Sequence, residues 1–456
     1  MKRRVPALAL LKFALPSLFG AAVFLVPFSL HGEPNTLLGH FKETMLAFFA
    51  GRQPLLAAAI STAAATLALA AKYCRPAWIV RDEILHENVT GGPLWLAARI
   101  LSVPITLCVW LGAERLSGAG GIPAAFIEEA SFIVCGMTPR LVTLAVVLGL
   151  LAPLVMDFGL VQFIAVFAGP VMRPLFRVPG RSAVDCVASW LGSSSMAVVF
   201  TAKMYDSGYY TGREAAAVVC GFSLAGIYNI YAVADLMNVG YALPQILIIS
   251  YSSMILLAAL LPRIAPLSSI PDEYISGRSR YAARAEGRRR GMSALRWALF
   301  RGTAQARRMN AEKYLRESRY IIFSLIFSTV PLMITFGTLL LLAADLTPAA
   351  KLVAAPFSEL FSIIGSHESE IVAESAVFAF VDQYLAAAAG RALLTEAGRV
   401  SCVCLSVIGL INLTEVGLHV WHSNIPLKLW QMAAVYIIRI AVSAFVVIPA
   451  ARLLFT

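Results

Sequence analysis

Apolar runs of bilayer length recur from one end of this sequence to the other. They lie at about 13–30, 54–71, 95–112, 139–172, 214–236, 242–262, 320–344, 371–389, 398–414 and 430–450. About 18 uncharged apolar residues suffice to cross the hydrocarbon core as a helix. Only 14% of the residues are charged and the mean hydropathy is +0.77, whereas a soluble domain carries about 25% charged residues. The short alternating segments of a membrane β-barrel are absent. The expected fold class is therefore all-α: a polytopic integral membrane protein with about ten membrane segments. The opening "MKRRVPALALLKFALPSLFGAAVFLVPF" begins like a secretory signal, but its apolar run continues through Pro27 and Phe28. A cleaved signal is apolar for only about 7–15 residues, so this stretch reads as the first membrane helix.

Charge sets the expected orientation. Between Arg263 and Arg319 there are 14 arginines and lysines against five acids. A basic loop between membrane segments stays in the cytoplasm, and its cations attract anionic lipid headgroups. The net charge of +11 is thus a topology signal, not one for nucleic acid. With 263–319 inside, Lys2, Arg3, Arg4, Lys72, Arg75 and Arg81 are also cytoplasmic. The expected setting is a bacterial inner (plasma) membrane, with multiple passes and a cytoplasmic N-terminus. The parity of crossings closes only if 139–172 is one broken crossing and two segments dip in and return by the same face. Those segments are 182–205 and about 349–389, with polar kinks "GSSS" (192–195) and "GSHESE" (365–370). Non-helical backbone at membrane depth needs protein or a wet cavity around it, so two re-entrant helical hairpins are expected.

An internal repeat follows the hairpins. "REAAAVVCGFSLAGIYN" (213–229) and "TEAGRVSCVCLSVIGLIN" (395–412) share Glu-Ala-x-x-Val-x-Cys and then Ser-x-x-Gly-x-x-Asn. Glu214, Ser223, Gly226 and Asn229 pair with Glu396, Ser406, Gly409 and Asn412. Three crossings separate the hairpins, so the copies should be inverted repeats, an arrangement that places a transport site near the bilayer midplane. The expected division is 1–130 N-terminal helices, 131–262 first repeat, 263–319 basic loop and 320–456 second repeat. The plainer alternative is two alanine-rich helices alike by chance, with Asn and Ser serving only as glue between helices.

Polar chemistry concentrates at the breaks. On a helix His367, Glu370 and Glu374 would share one stripe at i, i+3 and i+7. A charge facing lipid costs on the order of 3 kcal/mol by insertion scales, so the stripe should face protein, water or solute unless it is an ordinary solvated loop. No phosphate-binding loop, HExxH or GxSxG motif occurs, so no enzyme activity, cofactor or resident metal is expected. One histidine with carboxylates is a weak metal signal. The seven cysteines include no CxxC pair and read as free thiols packed as small hydrophobes.

The stretch "LFRVPGRSAVDCVASWLGSSSMAVVFTAKMYDSGYYTGREAAAVVCGFS" (175–223), with "FVDQYL" (380–385) and "LTEVGLHVWHSNIPLKLWQMAAVYIIRI" (413–440), resembles YjiH-type membrane proteins. These belong to the nucleoside-recognition, or Gate, domain superfamily, with concentrative nucleoside transporters, the ferrous-iron permease FeoB and spore-maturation proteins. The resemblance implies solute binding at hairpin tips and broken helices. Carried onto this sequence, it implicates Ser193, Ser194, Ser195, Asn229, His367, Glu368 and Asn412 as substrate-binding residues, with Glu415 on a broken helix. Glu370, Glu374 or Glu415 would carry the coupling H+ or Na+. The glutamine-rich tip motif of nucleoside transporters and the GTP-binding domain of FeoB have no counterpart here. The expected function is ion-coupled secondary transport of a small polar solute, nucleosides among the candidates. The alternatives are a non-transporting scaffold or gate in a complex, or an ion or divalent-metal permease. A homo-oligomer is compatible with each. Cysteines introduced at Ser279 and Ser293 should resist an impermeant thiol reagent added to intact cells; labelling equal to that of an external control would reverse the topology.

Overall fold

The structure is a computed structural model that describes residues 6–25, 27–30, 33–36, 44–81, 86, 92–117, 121–191, 194–275, 293–411, 416–417, 420 and 423–455. In chain order the helices are α1 (Ala7–Leu25), α2 (Gln53–Leu69), α3 (Pro93–Ser117), α4 (Gly121–Ser131), α5 (Thr138–Met156), α6 (Leu160–Phe176), α7 (Ala183–Leu191), α8 (Ser194–Asp206), α9 (Gly212–Phe222) and α10 (Ile227–Leu236). They continue as α11 (Leu243–Leu260), α12 (Ala294–Arg308), α13 (Ala311–Phe323), α14 (Thr338–Leu346), α15 (Ala349–Ile364), α16 (Ser369–Ala379), α17 (Gln383–Ala389), α18 (Glu396–Ile408) and α19 (Leu429–Phe455). The protein is a helical, multi-pass membrane protein. Among the described residues, seven helical stretches are long and apolar enough to span a bilayer: Gln53–Cys74, Pro93–Leu111, Ala124–Leu151, Gly212–Leu236, Gly240–Ser269, Ala311–Leu346 and Leu429–Phe455.

The difference from ten has local causes. α1 stops at Leu25, and Pro27–Leu30 pairs with Glu33–Thr36 as a two-stranded antiparallel ribbon. Proline lacks the N–H that would continue the helix. The run at 139–172 is cut at Asp157–Gly159, between α5 and α6. α16, α17 and α18 are each shorter than a bilayer crossing because turns interrupt their apolar sequence. The basic stretch is not one long loop. Ser293 caps α12 through Arg296 N, and α13 runs on into the Ala311–Leu346 span. Residues 276–292, which include Ser279, lie outside the described residues.

The chain forms two compact units. One comprises Met1–Leu25, Leu154–Asn310 and Ala354–Thr456; the other comprises Val26–Pro153 and Ala311–Val353. The second unit packs α2, α3, α4 and the Ala311–Leu346 span together. Among the described residues, π-helical turns lie in its helices at Ala70–Cys74, Phe132–Met137, Ser324–Thr329 and Met333–Gly337. Within it, Thr335 Oγ1 donates to Ala98 O at 2.6 Å and the buried Arg99 donates to Ser328 Oγ at 3.4 Å.

The first unit holds both hairpins, the repeat helices and α19. One face of α19 buries Met432, Val435, Tyr436, Arg439 and Ile440, while Trp430, Ile437, Phe445 and Leu453 are exposed. Large exposed apolar side chains on a helix of this length fit a lipid-facing surface. At the entry to α6, Gly159 has φ +106°, and a Cβ there would lie 2.2 Å from the Gly302 carbonyl oxygen on α12. The close approach of α6 to α12 therefore requires glycine. Gly159→Ala should lower the melting temperature in detergent by several degrees, more than Gly302→Ala, since left-handed strain costs on the order of 1–3 kcal/mol.

Candidate functional site

Helices α9 and α18 both stop inside apolar sequence, and their ends meet. α9 opens with a capping box in which Thr211 accepts from Glu214 N and the Glu214 side chain accepts from Thr211 N. It ends at Phe222, and Ser223–Gly226 are non-helical before α10 begins. α18 opens at Thr395, whose hydroxyl accepts from Gly398 N, and ends at Ile408. Each helix end leaves carbonyls without intrahelical partners, and in apolar surroundings each unmet carbonyl is costly. Here they are met across the junction. Ala225 N donates to Val407 O at 3.3 Å, joining one break to the other. Trp190 Nε1, at the end of α7, donates to Phe222 O at 3.0 Å. Arg439 of α19, fully buried, donates to Cys220 O, Ser223 O and Ile408 O, the Nε bond to Ile408 being 2.9 Å long.

The first hairpin is α7 and α8, packed along each other. Its buried carboxylate, Asp185, accepts from Tyr210 Oη at 2.6 Å. Asp185, Ser189, Thr201 and Ser223 line a narrow crevice against α9, with room for about one water-sized group.

The second hairpin lies elsewhere than the sequence suggests. The closely packed pair is α16 and α17, with its turn at Phe380–Asp382. At that turn Asp382 caps α17 by accepting from Tyr384 N at 2.8 Å. Gln383 is fully buried. Tyr384 Oη donates to Asn229 Oδ1 at 2.7 Å, so this tip touches α10 one turn beyond the first break. "GSHESE" is the turn before α16, at the base of the hairpin. The cause is Gly365, at φ +106°, which ends α15 so that α16 starts afresh at Ser369. His367 is therefore outside the helix, and the three-residue stripe reduces to Glu370 and Glu374, one turn apart. Glu370 is exposed and Glu374 half-buried.

At this base His367 and Glu368 line a cleft of about 110 Å³ with Thr395, Gly398, Ser401, Arg452 and others. Glu368 accepts from Leu394 N at 2.7 Å, Thr395 N at 3.1 Å and the Thr395 hydroxyl, which places a carboxylate at the N-terminus of α18. Thr211 donates in the same way to Asp272 at 2.6 Å. Burial pushes the Glu368 carboxyl upward, but these hydrogen bonds and nearby Arg399 outweigh it, so its pKa lies below the ordinary 4.5.

Of the residues read from sequence, the structure sets Asn229 beside the junction and His367 and Glu368 in the basal cleft. Ser194 and Ser195 begin α8. Ser193, Asn412 and Glu415 lie outside the described residues. Sequence reasoning missed Arg439, although an arginine amid "YIIRIAV" was a visible signal. It also passed over Asp185 and Tyr384. No group of three His, Cys, Asp or Glu side chains that could hold a metal occurs among the described residues.

Residues 138–239 match the family model Gate, described as nucleoside recognition. The matched segment runs from α5 through the first hairpin and the α9–α10 break to the end of α10. Over nearly its whole length the chain is similar to an uncharacterized protein of Alkalihalophilus pseudofirmus, 29% identical over 449 residues that cover 98% of this chain and 95% of that one. A solved structure described as CNTnw in an inward-facing substrate-bound state aligns over 96% of each chain, at 15% identity and a TM-score of 0.37.

A carboxylate with a depressed pKa stabilises the fold above its unfolded pKa and ceases to do so as pH falls through its folded one. Glu368→Gln should therefore lower the melting temperature at pH 7. The gap to wild type should begin to close as pH falls past the ordinary 4.5 and be gone once pH has fallen through the lower native pKa, where the native carboxyl becomes protonated. A gap independent of pH would show that the hydrogen bonds do not depend on the charge.

Proposed function

We propose that this chain is a secondary transporter of a small polar solute, nucleosides among the candidates, and not an enzyme. It sits in a bacterial inner membrane with its N-terminus in the cytoplasm. The observation that carries the reading is the meeting of two interrupted helices, joined by Ala225 N to Val407 O, with both hairpins against the first break through Trp190 and Tyr384. Paired broken helices at a repeat interface are the form a midplane transport site takes, and irregular backbone is tolerated there because protein surrounds it. The Gate match over 138–239, described as nucleoside recognition, supports the solute class.

In this reading the solute lies between the hairpin tips, contacted by Ser193, Ser194 and Ser195 on one side and by Asn229, Tyr384 and Asn412 on the other. His367 and Glu368 line the basal cleft and serve entry to the site. The repeats 131–262 and 320–456 relate by an axis in the membrane plane. The basic stretch 263–319 meets anionic headgroups. The coupling ion, H+ or Na+, is carried by Glu370, Glu374 or Glu415, to which Asp185, buried and held by Tyr210, is added.

Purified protein in proteoliposomes should show saturable uptake of one class among nucleosides, amino acids and small organic acids. Asn229→Ala and Tyr384→Phe should each reduce uptake about tenfold or more, the size expected for loss of a buried hydrogen bond to solute. Asp185→Asn, Glu370→Gln, Glu374→Gln and Glu415→Gln should be compared singly. The coupling group is the one whose variant keeps exchange but loses gradient-driven accumulation. No saturable uptake of any class would favour the scaffold reading, and uptake strictly of divalent metal the permease reading.

A further inference from the structure

Arg439 lies at the middle of the apolar helix α19 and is fully buried. A buried cation ordinarily needs a carboxylate or an equivalent set of acceptors. Among the described residues no carboxylate pairs with it. Its acceptors are main-chain carbonyls of Cys220, Ser223 and Ile408, with Met254 Sδ 3.4 Å from Nη2. Cys220 and Ile408 belong to the last turns of α9 and α18, and Ser223 follows α9 directly. The C-terminal end of a helix carries the equivalent of roughly half a negative charge. Two such ends converge on one guanidinium.

Converging carbonyls at broken helix ends are also the chemistry that holds a small monovalent cation in membrane transporters. In this chain the oxygens are already occupied by a planar, multidentate and permanently charged group. We propose that Arg439 is a tethered cation that takes the place of a bound ion at the junction of the two broken helices. The junction is then assembled without Na+ or K+. One guanidinium holds α9 and α18 together, so the two breaks move as one body, and any coupling ion binds elsewhere. The inference concerns the assembly of the junction and holds whether or not a solute is moved.

The test reads stability alone. In detergent the melting temperature of the wild-type protein should agree within about 1 °C in sodium, potassium and choline chloride at equal ionic strength. Arg439→Ala leaves three buried carbonyls unmet and should melt about 5–10 °C lower. Millimolar guanidinium should restore part of that loss, while urea, of the same shape but neutral, should not. Where Arg439→Ala does not fold, the charge-keeping Arg439→Lys and the neutral Arg439→Gln decide, with Lys expected to be the more stable. A Na+- or K+-dependent melting temperature in the wild type would overturn the proposal. So would rescue by urea equal to that by guanidinium, rescue by neither, or a Gln variant as stable as Lys.

Discussion

The first unit depends on how main-chain carbonyls are satisfied where a helix stops inside an apolar body. An unbroken helix meets its own hydrogen bonds, which is why helices cross bilayers at all. α9 and α18 give up that self-sufficiency, and their freed carbonyls find four partners from three separate places in the chain: the indole of Trp190, the hydroxyl of Ser223 toward Val219 O and the amide of nearby Ala225, and the guanidinium of Arg439. Remove these partners and the breaks become the most costly points in the unit. With them, the breaks are its best-connected points.

That accounting also explains where polarity sits. The hairpin tips are near the breaks because they serve them: Trp190 ends α7, and Tyr384 opens α17 beside Asn229. The carboxylates that cap helix starts lie at the opposite ends, Glu368 on α18 and Asp272 on Thr211. Positive charge sits at helix C-termini and negative charge at N-termini, as the helix dipole favours. α9 and α18 thus resemble each other in their electrostatics. The repeat alignment read from sequence is offset at the breaks, since Ser223 follows the end of α9 while Ser406 lies inside α18.

Much of the architecture was legible. The recurring apolar runs define a helical membrane protein, the run at 139–172 is broken as the parity of crossings requires, the sequence flanking "GSSS" forms α7 and α8, and a helix begins near Glu214 but stops at Phe222, short of the run's end at 236. The turn of the second hairpin was not. "GSHESE" and "FVDQ" are both polar interruptions of apolar sequence, and local composition does not say which one lets its flanking helices pack. Packing of α16 along α17 answers that. Nor does a stripe of His367, Glu370 and Glu374 survive, because Gly365 moves the helix start to Ser369.

By itself the sequence determined what a local rule can decide: which segments are apolar and long enough to cross, which ends are capped, and where glycine or proline interrupts. It could also have shown Arg439 as a charge in an apolar helix. Only the tertiary structure decided its partners. Cys220 and Arg439 are 219 positions apart, as remote along the chain as they are close in space, and the acceptors are backbone carbonyls that every residue carries. No side-chain pattern marks a carbonyl as unmet until two helices stop at the same place.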